Sequence, residues 1–417
     1  MPGGDAGRLT DGVDIGRNRA VDRPCGDLRV LDMSIGVAGK YCTMLMAGFG
    51  ADVIAIESPK RGDVPRGPEA LRDTLDGPDA LSAMLGRGKR RVTLDWSTRA
   101  GQRLLLKLAA KADVLVVGSP LQSQDERVPS FEVLQEVNPA IVVTSITPFG
   151  TTGPYAGFAA DELVVNALGG FLHGVGDPDR EPLGGQGVQT QTLAGACAYF
   201  ATLVALHARL ADGLGQLVDI SVQEVAASTL EGALTFAAYS GWVWRRSGSR
   251  RAVAYHPVSN YRRRDGYIHI SVLEDRDWRS LCAMLGCPEH GEDPRFATAG
   301  SRLEHAKEVD ELLTRRLADR SRSELYHAGQ ARRLPLAPVN SIADLLVSPQ
   351  LRARSFFYEP FDQDLRSGAI GPPFKFSETP WTAGGCSRQG EDTREVYGRL
   401  LGLDEAALDE LAQCGVI

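Results

Sequence analysis

The chain contains no CxxC pair and no HExxH. Its seven histidines are dispersed rather than grouped at metal-ligand spacing, so no metal site is expected. The turn around Gly36, which reads VAGKY, matches neither GxGxxG nor GxxxxGK[ST], and both nucleotide fingerprints are thereby excluded there. No apolar run approaches the roughly 20 residues needed to cross a bilayer, so no membrane span is expected. The opening segment 1–24, MPGGDAGRLTDGVDIGRNRAVDRP, lacks the apolar centre of a signal peptide and reads as a flexible tail. Seven cysteines (25, 42, 197, 282, 287, 386 and 414) stand apart in apolar surroundings. Their odd number and spacing predict reduced, mostly buried thiols and a cytoplasmic protein. A formal net charge of -7 argues against general affinity for nucleic acid or anionic membrane, while leaving room for a local basic pocket. Neither an internal repeat nor a low-complexity tract is present.

What the chain does have is alternation. Its 417 residues exceed one ordinary core and predict two domains. From Leu28, strand-like LRVLDMSI, ADVIAIES, RRVTLDW, DVLVVGSP and AIVVTSITPFG are interleaved with helix-like AGKYCTMLMAGFG, STRAGQRLLLKLAAKA and FEVLQEVN. Ser97 or Thr98 is placed to cap the second of these helices. Strands separated by helices of this length imply parallel βαβ units with helices on both faces of the sheet. The stretch 241–264, GWVWRRSGSRRAVAYHPVSNYRRR, is basic and aromatic with little periodicity, and reads as a connection; its RRR run is a surface charge cluster. GYIHISV alternates as a half-buried strand, and three amphipathic helices follow it. The organisation expected is a tail over 1–24, a large α/β domain from 25–240, a small domain with its linker over 241–335, and a return segment over 336–417 whose helices pack on the large domain.

One region concentrates the signal. Pro148 to Glu224 runs PFGTTGPYAGFAADELVVNALGG, then the turn-rich GVGDPDREPLGGQG, then a long apolar helix and the strand QLVDIS. This order resembles the family III CoA-transferases, the group of formyl-CoA transferase, carnitine CoA-transferase and alpha-methylacyl-CoA racemase. The resemblance extends colinearly from Leu28 to Pro380, through VLDMSIGVAGKYCTMLMAGFGADVIAIESP, GRGKRRVTLDWSTRAGQ, RRDGYIHISV and LPLAPVNSIADLLVSPQLRARSFF. It implies a Rossmann-like parallel-sheet large domain, a smaller α+β domain, and two subunits interlocked as a homodimer. It also implies that the chain takes coenzyme A as an acyl-CoA substrate, with no metal, no nucleic acid and no membrane as partner.

The same resemblance assigns residues. The family's catalytic aspartate lies four residues before the glycine matching Gly195, and here that position is Gln191. An aspartate there attacks the acyl-CoA carbonyl and passes through an anhydride and an enzyme thioester, steps that a neutral amide cannot take; an amide can still donate N–H to an oxyanion. Asp161 stands at the start of a helix, either as its cap or as the nearest alternative carboxylate. With Ala160 beside it in place of histidine, racemisation is not expected. His173, between Gly170 and Gly174, is a further catalytic candidate. For CoA, the resemblance places Lys89 and Arg90 at the nucleotide end, and a solvated loop cluster is the plainer alternative. Val37 and Ala38 are assigned to CoA with the resemblance, and Asp63 and Arg66, in the loop after the second strand where open α/β sheets bind ligands, fit either the family's acidic–basic pair or a charged surface turn. Ile35, Val37 and the GSPLQSQ turn depart from the transferase pattern. Three readings stand: CoA or acyl transfer to a small carboxylic acid or other acceptor, acyl transfer without an aspartyl anhydride, and a non-catalytic scaffold.

Overall fold

The computed structural model describes residues 23–59, 80–118, 128–250, 255–358 and 369–417. Along the chain, β1 (Arg29–Ser34), α1 (Val37–Gly48), β2 (Asp52–Glu57), α2 (Ala80–Leu85), β3 (Arg90–Thr93), α3 (Arg99–Ala109), β4 (Val114–Gly118), α4 (Phe131–Val137) and β5 (Val142–Thr147) alternate. Next come α5 (Glu162–Leu168), the 24-residue α6 (Gln189–Asp212), β6 (Leu217–Ser221), α7 (Val222–Ser228) and α8 (Glu231–Ser240). Beyond them lie β7 (Val258–Arg263), β8 (Gly266–Ser271), α9 (Asp275–Met284), α10 (Ala299–Glu304), α11 (Ala306–Leu317), α12 (Arg322–Gln330) and β9 (Leu336–Pro338). Four helices close the chain: α13 (Ile342–Leu346), α14 (Pro349–Ala353), α15 (Thr393–Leu401) and α16 (Glu405–Gln413).

Two compact units result. The first gathers residues 1–157, 192–220 and 358–417. Its six-stranded sheet has the order β3-β2-β1-β4-β5-β6, and β3-β2, β2-β1, β1-β4 and β4-β5 all pair in parallel. The α/β class expected from the alternation is therefore the class observed. The order reverses between β1 and β4, so their C-terminal ends form the crevice where open sheets of this kind take ligands. Leu31, Ile54, Val92, Leu115 and Val143 of five adjacent strands pack against Leu104, Leu105 and Leu108 of α3 and Val396 and Tyr397 of α15. Each buried leucine of such a layer contributes about 1.5–3 kcal/mol. Thr98 caps α3 by accepting the Gly101 N–H at 3.0 Å.

By length and composition α6 could cross a membrane, contrary to the expectation from the sequence. Its buried face explains the composition differently. Ala194, Ala198, Thr202 and Ala205 are buried small residues, and the Thr144 hydroxyl of β5 meets the Thr202 hydroxyl at 2.6 Å. Thr202 in turn donates to the Ala198 carbonyl at 2.7 Å, so one face of α6 is fastened to the sheet, while Phe200, Val204 and Leu210 on the helix are exposed.

The second unit comprises 158–191 and 221–357. Its antiparallel sheet has the order β7-β8-β9, with Tyr261 opposite Ile268 and Ile270 opposite Leu336. Trp278, Leu281, Val309, Leu313 and Leu325 form the core beneath it. Strand β7 lies inside the stretch that the sequence reads as an aperiodic connection. Its inward residues are Ser259, Tyr261 and Arg263, which carry no apolar alternation to betray it.

Gly195 marks a close approach of α6 to α1. A Cβ there would stand 2.4 Å from the Ala38 carbonyl oxygen and 3.1 Å from the Tyr41 Cβ. Gly→Ala inside a helix ordinarily stabilises by about 1 kcal/mol. Here Gly195→Ala is expected to destabilise by about 1–3 kcal/mol, because backbone must move to admit the methyl. Urea denaturation checks the sign, and a raised midpoint would refute the contact.

Candidate active site

The crevice at the sheet's switch point begins where β1 gives way to α1. Ile35 N–H donates to the Gly118 carbonyl at 2.7 Å, tying the end of β1 to the end of β4. Gly36 then turns the chain with φ 114°, a conformation that side-chain-bearing residues rarely adopt. Helix α1 starts with no side-chain cap, so its first N–H groups and the positive end of its dipole are at this turn. Val37 and Ala38 are the first two helical residues, and both are buried.

Beneath that turn lies a buried ion pair. Asp32, in the middle of β1, is 2% exposed and Lys89 is 4% exposed. The Lys89 ammonium is 2.9 Å from Asp32 Oδ2, 2.9 Å from the Lys40 carbonyl and 2.7 Å from Thr43 Oγ1. Ser34 donates its N–H at 3.0 Å and its hydroxyl at 2.5 Å to Asp32 Oδ1, and Thr43 Oγ1 approaches Oδ2 at 2.6 Å. Burial by itself would push the Asp32 carboxyl upward. The Lys89 and Lys40 charges and the two hydroxyls outweigh it and hold the group well below the usual carboxylate range. Burial likewise pushes Lys89 below the ordinary lysine value, against the pull of Asp32. The lysine that the resemblance places at the nucleotide end of CoA thus has its ammonium occupied under the first turns of α1.

The two arginines after it are matched in the same way. Arg90 bonds Asp52 of β2 through Nε at 2.9 Å and Nη2 at 2.5 and 2.7 Å, and Arg29 meets the same carboxylate at 3.0 Å. Arg91 clasps Glu57 through Nε at 2.9 Å and Nη2 at 2.6 and 2.9 Å. Of the four cations in the GRGKRR run, Lys89, Arg90 and Arg91 are thus set against carboxylates of β1 and β2, and Arg87 is buried beside them in sequence. Arg90 remains partly exposed, so its guanidinium edge is open to solvent. Asp63, Arg66 and the SPLQSQ segment lie outside the described residues.

The second unit holds the other candidates. Asp161 caps α5, accepting the Val164 N–H at 2.9 Å. The next residue, Glu162, reaches the start of α6: its Oε1 accepts the Thr190 N–H at 2.7 Å and its Oε2 the Gln191 N–H at 3.1 Å. Asn166 joins them, donating to Glu162 at 3.3 Å and accepting from the Thr190 hydroxyl at 2.7 Å. A carboxylate from α5 thereby serves the free N–H groups of α6's first turn, as a local cap would. Gln191 is 6% exposed and fixed through its own backbone. His173 sits in the short 3-10 turn Phe171–Gly174 and is exposed; its carbonyl accepts from Arg246 at 3.4 Å.

Sequence reasoning missed Glu162, Asn166, Thr190 and Asp32. The first three meet across the turn-rich loop between α5 and α6, and no local spacing announces that contact. Asp32 did carry a signal, since a carboxylate inside an apolar parallel strand requires a buried donor or cation. All seven cysteines are unpaired, with Cys25, Cys42, Cys282 and Cys287 buried.

Comparison with known proteins is consistent along the chain. The family model for CoA-transferase family III matches residues 26–393. A succinate–glutarate CoA-transferase of Agrobacterium fabrum is 29% identical over 397 residues, covering 92% of this chain and 97% of its own. The succinyl-CoA:(R)-benzylsuccinate CoA-transferase subunit BbsE of Thauera aromatica is 31% identical over 405 residues, covering 93% and 97%. Among solved structures, a CAIB/BAIF family protein from Brucella suis superposes with a TM-score of 0.82 at 27% identity, covering 91% of this chain and all of that one.

Lys89→Met leaves Asp32 charged and buried without its cation, and is expected to cost about 3–5 kcal/mol. Asp32→Asn added to it should recover part of that loss, as measured by urea denaturation of both variants. Because the folded Asp32 carboxyl lies below its ordinary value of 3.8, its stabilisation is whole above that pH and is withdrawn as the pH falls below it. Acid titration of stability should therefore be flatter for Asp32→Asn than for the parent. Equal slopes, or a tolerated Lys89→Met, would refute the role of the pair.

Proposed function

The chain belongs to CoA-transferase family III, and from that premise we propose that it moves CoA or an acyl group from an acyl-CoA to a small carboxylic acid without a covalent enzyme intermediate. The carrying observation is the amide at position 191, buried in the first turn of α6 where the resemblance places the aspartyl nucleophile. A carboxamide cannot form the mixed anhydride. In our reading the acceptor carboxylate itself attacks the thioester carbonyl. The C–S bond breaks, CoA leaves as thiolate and an acceptor–acyl anhydride forms. The thiolate then attacks the acceptor carbonyl and expels the donor as its carboxylate, so that atoms and charge balance. The Gln191 side chain is suited to donating N–H to the oxyanion of either addition. Glu162 supports it by holding the backbone of the same turn.

For CoA, the reading uses the uncapped start of α1 at Val37 and Ala38, where backbone N–H groups and the helix dipole favour an anion. Lys89 supports that turn from below through the Lys40 carbonyl and Thr43. Arg90, held by Asp52, lies at the N-terminal ends of β1 and β2, at the other end of the strands from this turn. Assembly as an interlocked homodimer and a cytoplasmic location belong to the same reading. The unpaired cysteines suit that location.

A second reading is favoured by one specific observation. The Thauera aromatica relative is named as a subunit. A chain with an amide at the nucleophile's position would suit an assembly in which a second, related chain supplies the carboxylate.

The two readings separate in one experiment. The purified chain is incubated with succinyl-CoA and a panel of carboxylic acids, and both new thioesters and protein mass are followed by mass spectrometry. Turnover by the chain alone without any adduct supports direct transfer. Turnover only after addition of a family chain that carries aspartate at this position supports the subunit reading. A CoA thioester on Asp161 or Glu162 would overturn both. Gln191→Asp by itself is expected to add no transfer activity, since Ile35 and Val37 also depart from the transferase pattern.

A further inference from the structure

Helix α9 closes in a way that brings two thiols together. Its last residues are followed by Leu285 as the cap, then Gly286 and Cys287. Gly286 takes φ 71°, in the left-handed region that glycine favours. The Cys287 N–H then donates back to the Cys282 carbonyl at 2.9 Å, and the Gly286 N–H to the Ala283 carbonyl at 3.2 Å. In a helix end closed by this pair of bonds, the side chains at the two ends of the outer bond pack together, ordinarily as an apolar contact. Here both are cysteines, and their thiols are hydrogen-bonded to each other.

The pair is enclosed by the core of the second unit, among Trp278, Leu281 and Phe296, and neither cysteine is exposed. The short turn Pro288–Gly291 folds back over it. Trp278 Nε1 donates to the His290 carbonyl at 3.0 Å, and a Cβ on Gly291 would stand 3.5 Å from the Cys282 Cβ. Burial pushes both thiols above the ordinary cysteine value. At Cys287 the Arg316 and Arg320 charges and the hydrogen bond from Cys282 pull against that burial. Cys287 is therefore the sulfur placed to ionise and react first. Neither thiol has a part in the chemistry of CoA transfer described above.

We propose that Cys282 and Cys287 form a reversible redox site, oxidised to a disulfide by hydrogen peroxide and returned to the dithiol by a thiol reductant. The Cys287 thiolate attacks one peroxide oxygen and the O–O bond breaks. Cys287 becomes a sulfenic acid, and the departing hydroxide takes up the proton that the thiol released. The Cys282 sulfur then attacks the Cys287 sulfur, the S–O bond breaks, and the hydroxyl leaves with the Cys282 proton as water. Two thiols thus give up two electrons, and one peroxide is reduced to two waters. Hydrogen peroxide is little larger than water, which suits a site closed to bulkier oxidants. Contact between the sulfurs favours capture of the sulfenic acid before a second peroxide carries it to the sulfinic acid.

Mass mapping of the full chain tests the assignment. The folded protein is exposed to hydrogen peroxide, the peroxide is removed with catalase, and free thiols are then labelled with N-ethylmaleimide in urea. Only bonds made in the folded chain are counted in this order of steps. Tryptic cleavage after Arg279 and Arg295 leaves both cysteines in one peptide. The disulfide is expected as an unlabelled peptide about 2 Da lighter than the dithiol, and dithiothreitol should restore two labelled thiols. In Cys282→Ala, the isolated Cys287 is expected to go on to the sulfinic acid, a gain of about 32 Da. Circular dichroism confirms that this variant is folded; should it fail that check, the parent chain still decides. Exposed Cys414 serves as the internal measure of oxidation. Two labelled thiols remaining after overnight exposure that has exhausted Cys414 would overturn the proposal. So would a parent peptide that gains oxygen in place of losing hydrogen, or a bond from either cysteine to another part of the chain.

Discussion

The ion pair between Asp32 and Lys89 is the constraint on which the ligand end of the first unit rests. A carboxylate in the central strand of a parallel sheet is tolerated only when its charge is met by a cation and its lone pairs by donors. Here Lys89, Ser34 and Thr43 supply both. Because Lys89 also bonds the Lys40 carbonyl, the pair ties β1, the start of β3 and the first turns of α1 into one buried cluster. The geometry of the turn at Gly36, and so of the helix start at the switch point, follows from that cluster. Within the basic run, Lys89, Arg90 and Arg91 each meet a carboxylate of β1 or β2.

Position 191 illustrates a different division of labour. Its backbone is held by Glu162, its helix by close packing of small residues against the sheet, and its side chain is an amide. The contacts that fix this residue in space run through its backbone and leave the amide side chain free of them. Retention of position without retention of the acid is what makes transfer by the acceptor's own carboxylate, or by a partner's, the reading in keeping with the geometry. Asp161 caps α5, and the carboxylate that reaches position 191 is that of Glu162.

The elements of the first unit were legible because buried parallel strands write themselves as short apolar runs and their connecting helices as 3.6-residue patterns. Thr98 was recognisable as a cap for the same local reason. Strand β7 was not legible, because its inward face is built from Ser259, Tyr261 and Arg263 and its partner strand supplies the pairing.

The sequence by itself determined the α/β class, the family, and the presence of an amide where a carboxylate is expected, since each is carried by residue identity and short-range order. Only the tertiary structure decided which charge answers which. Lys89 with Asp32, Arg91 with Glu57, and Glu162 with the start of α6 are partners separated by long stretches of chain. An isolated lysine, arginine or glutamate reads the same whether it is solvated or buried. Its chemistry is set by burial and by the groups brought within hydrogen-bond distance, and those are properties of the folded chain.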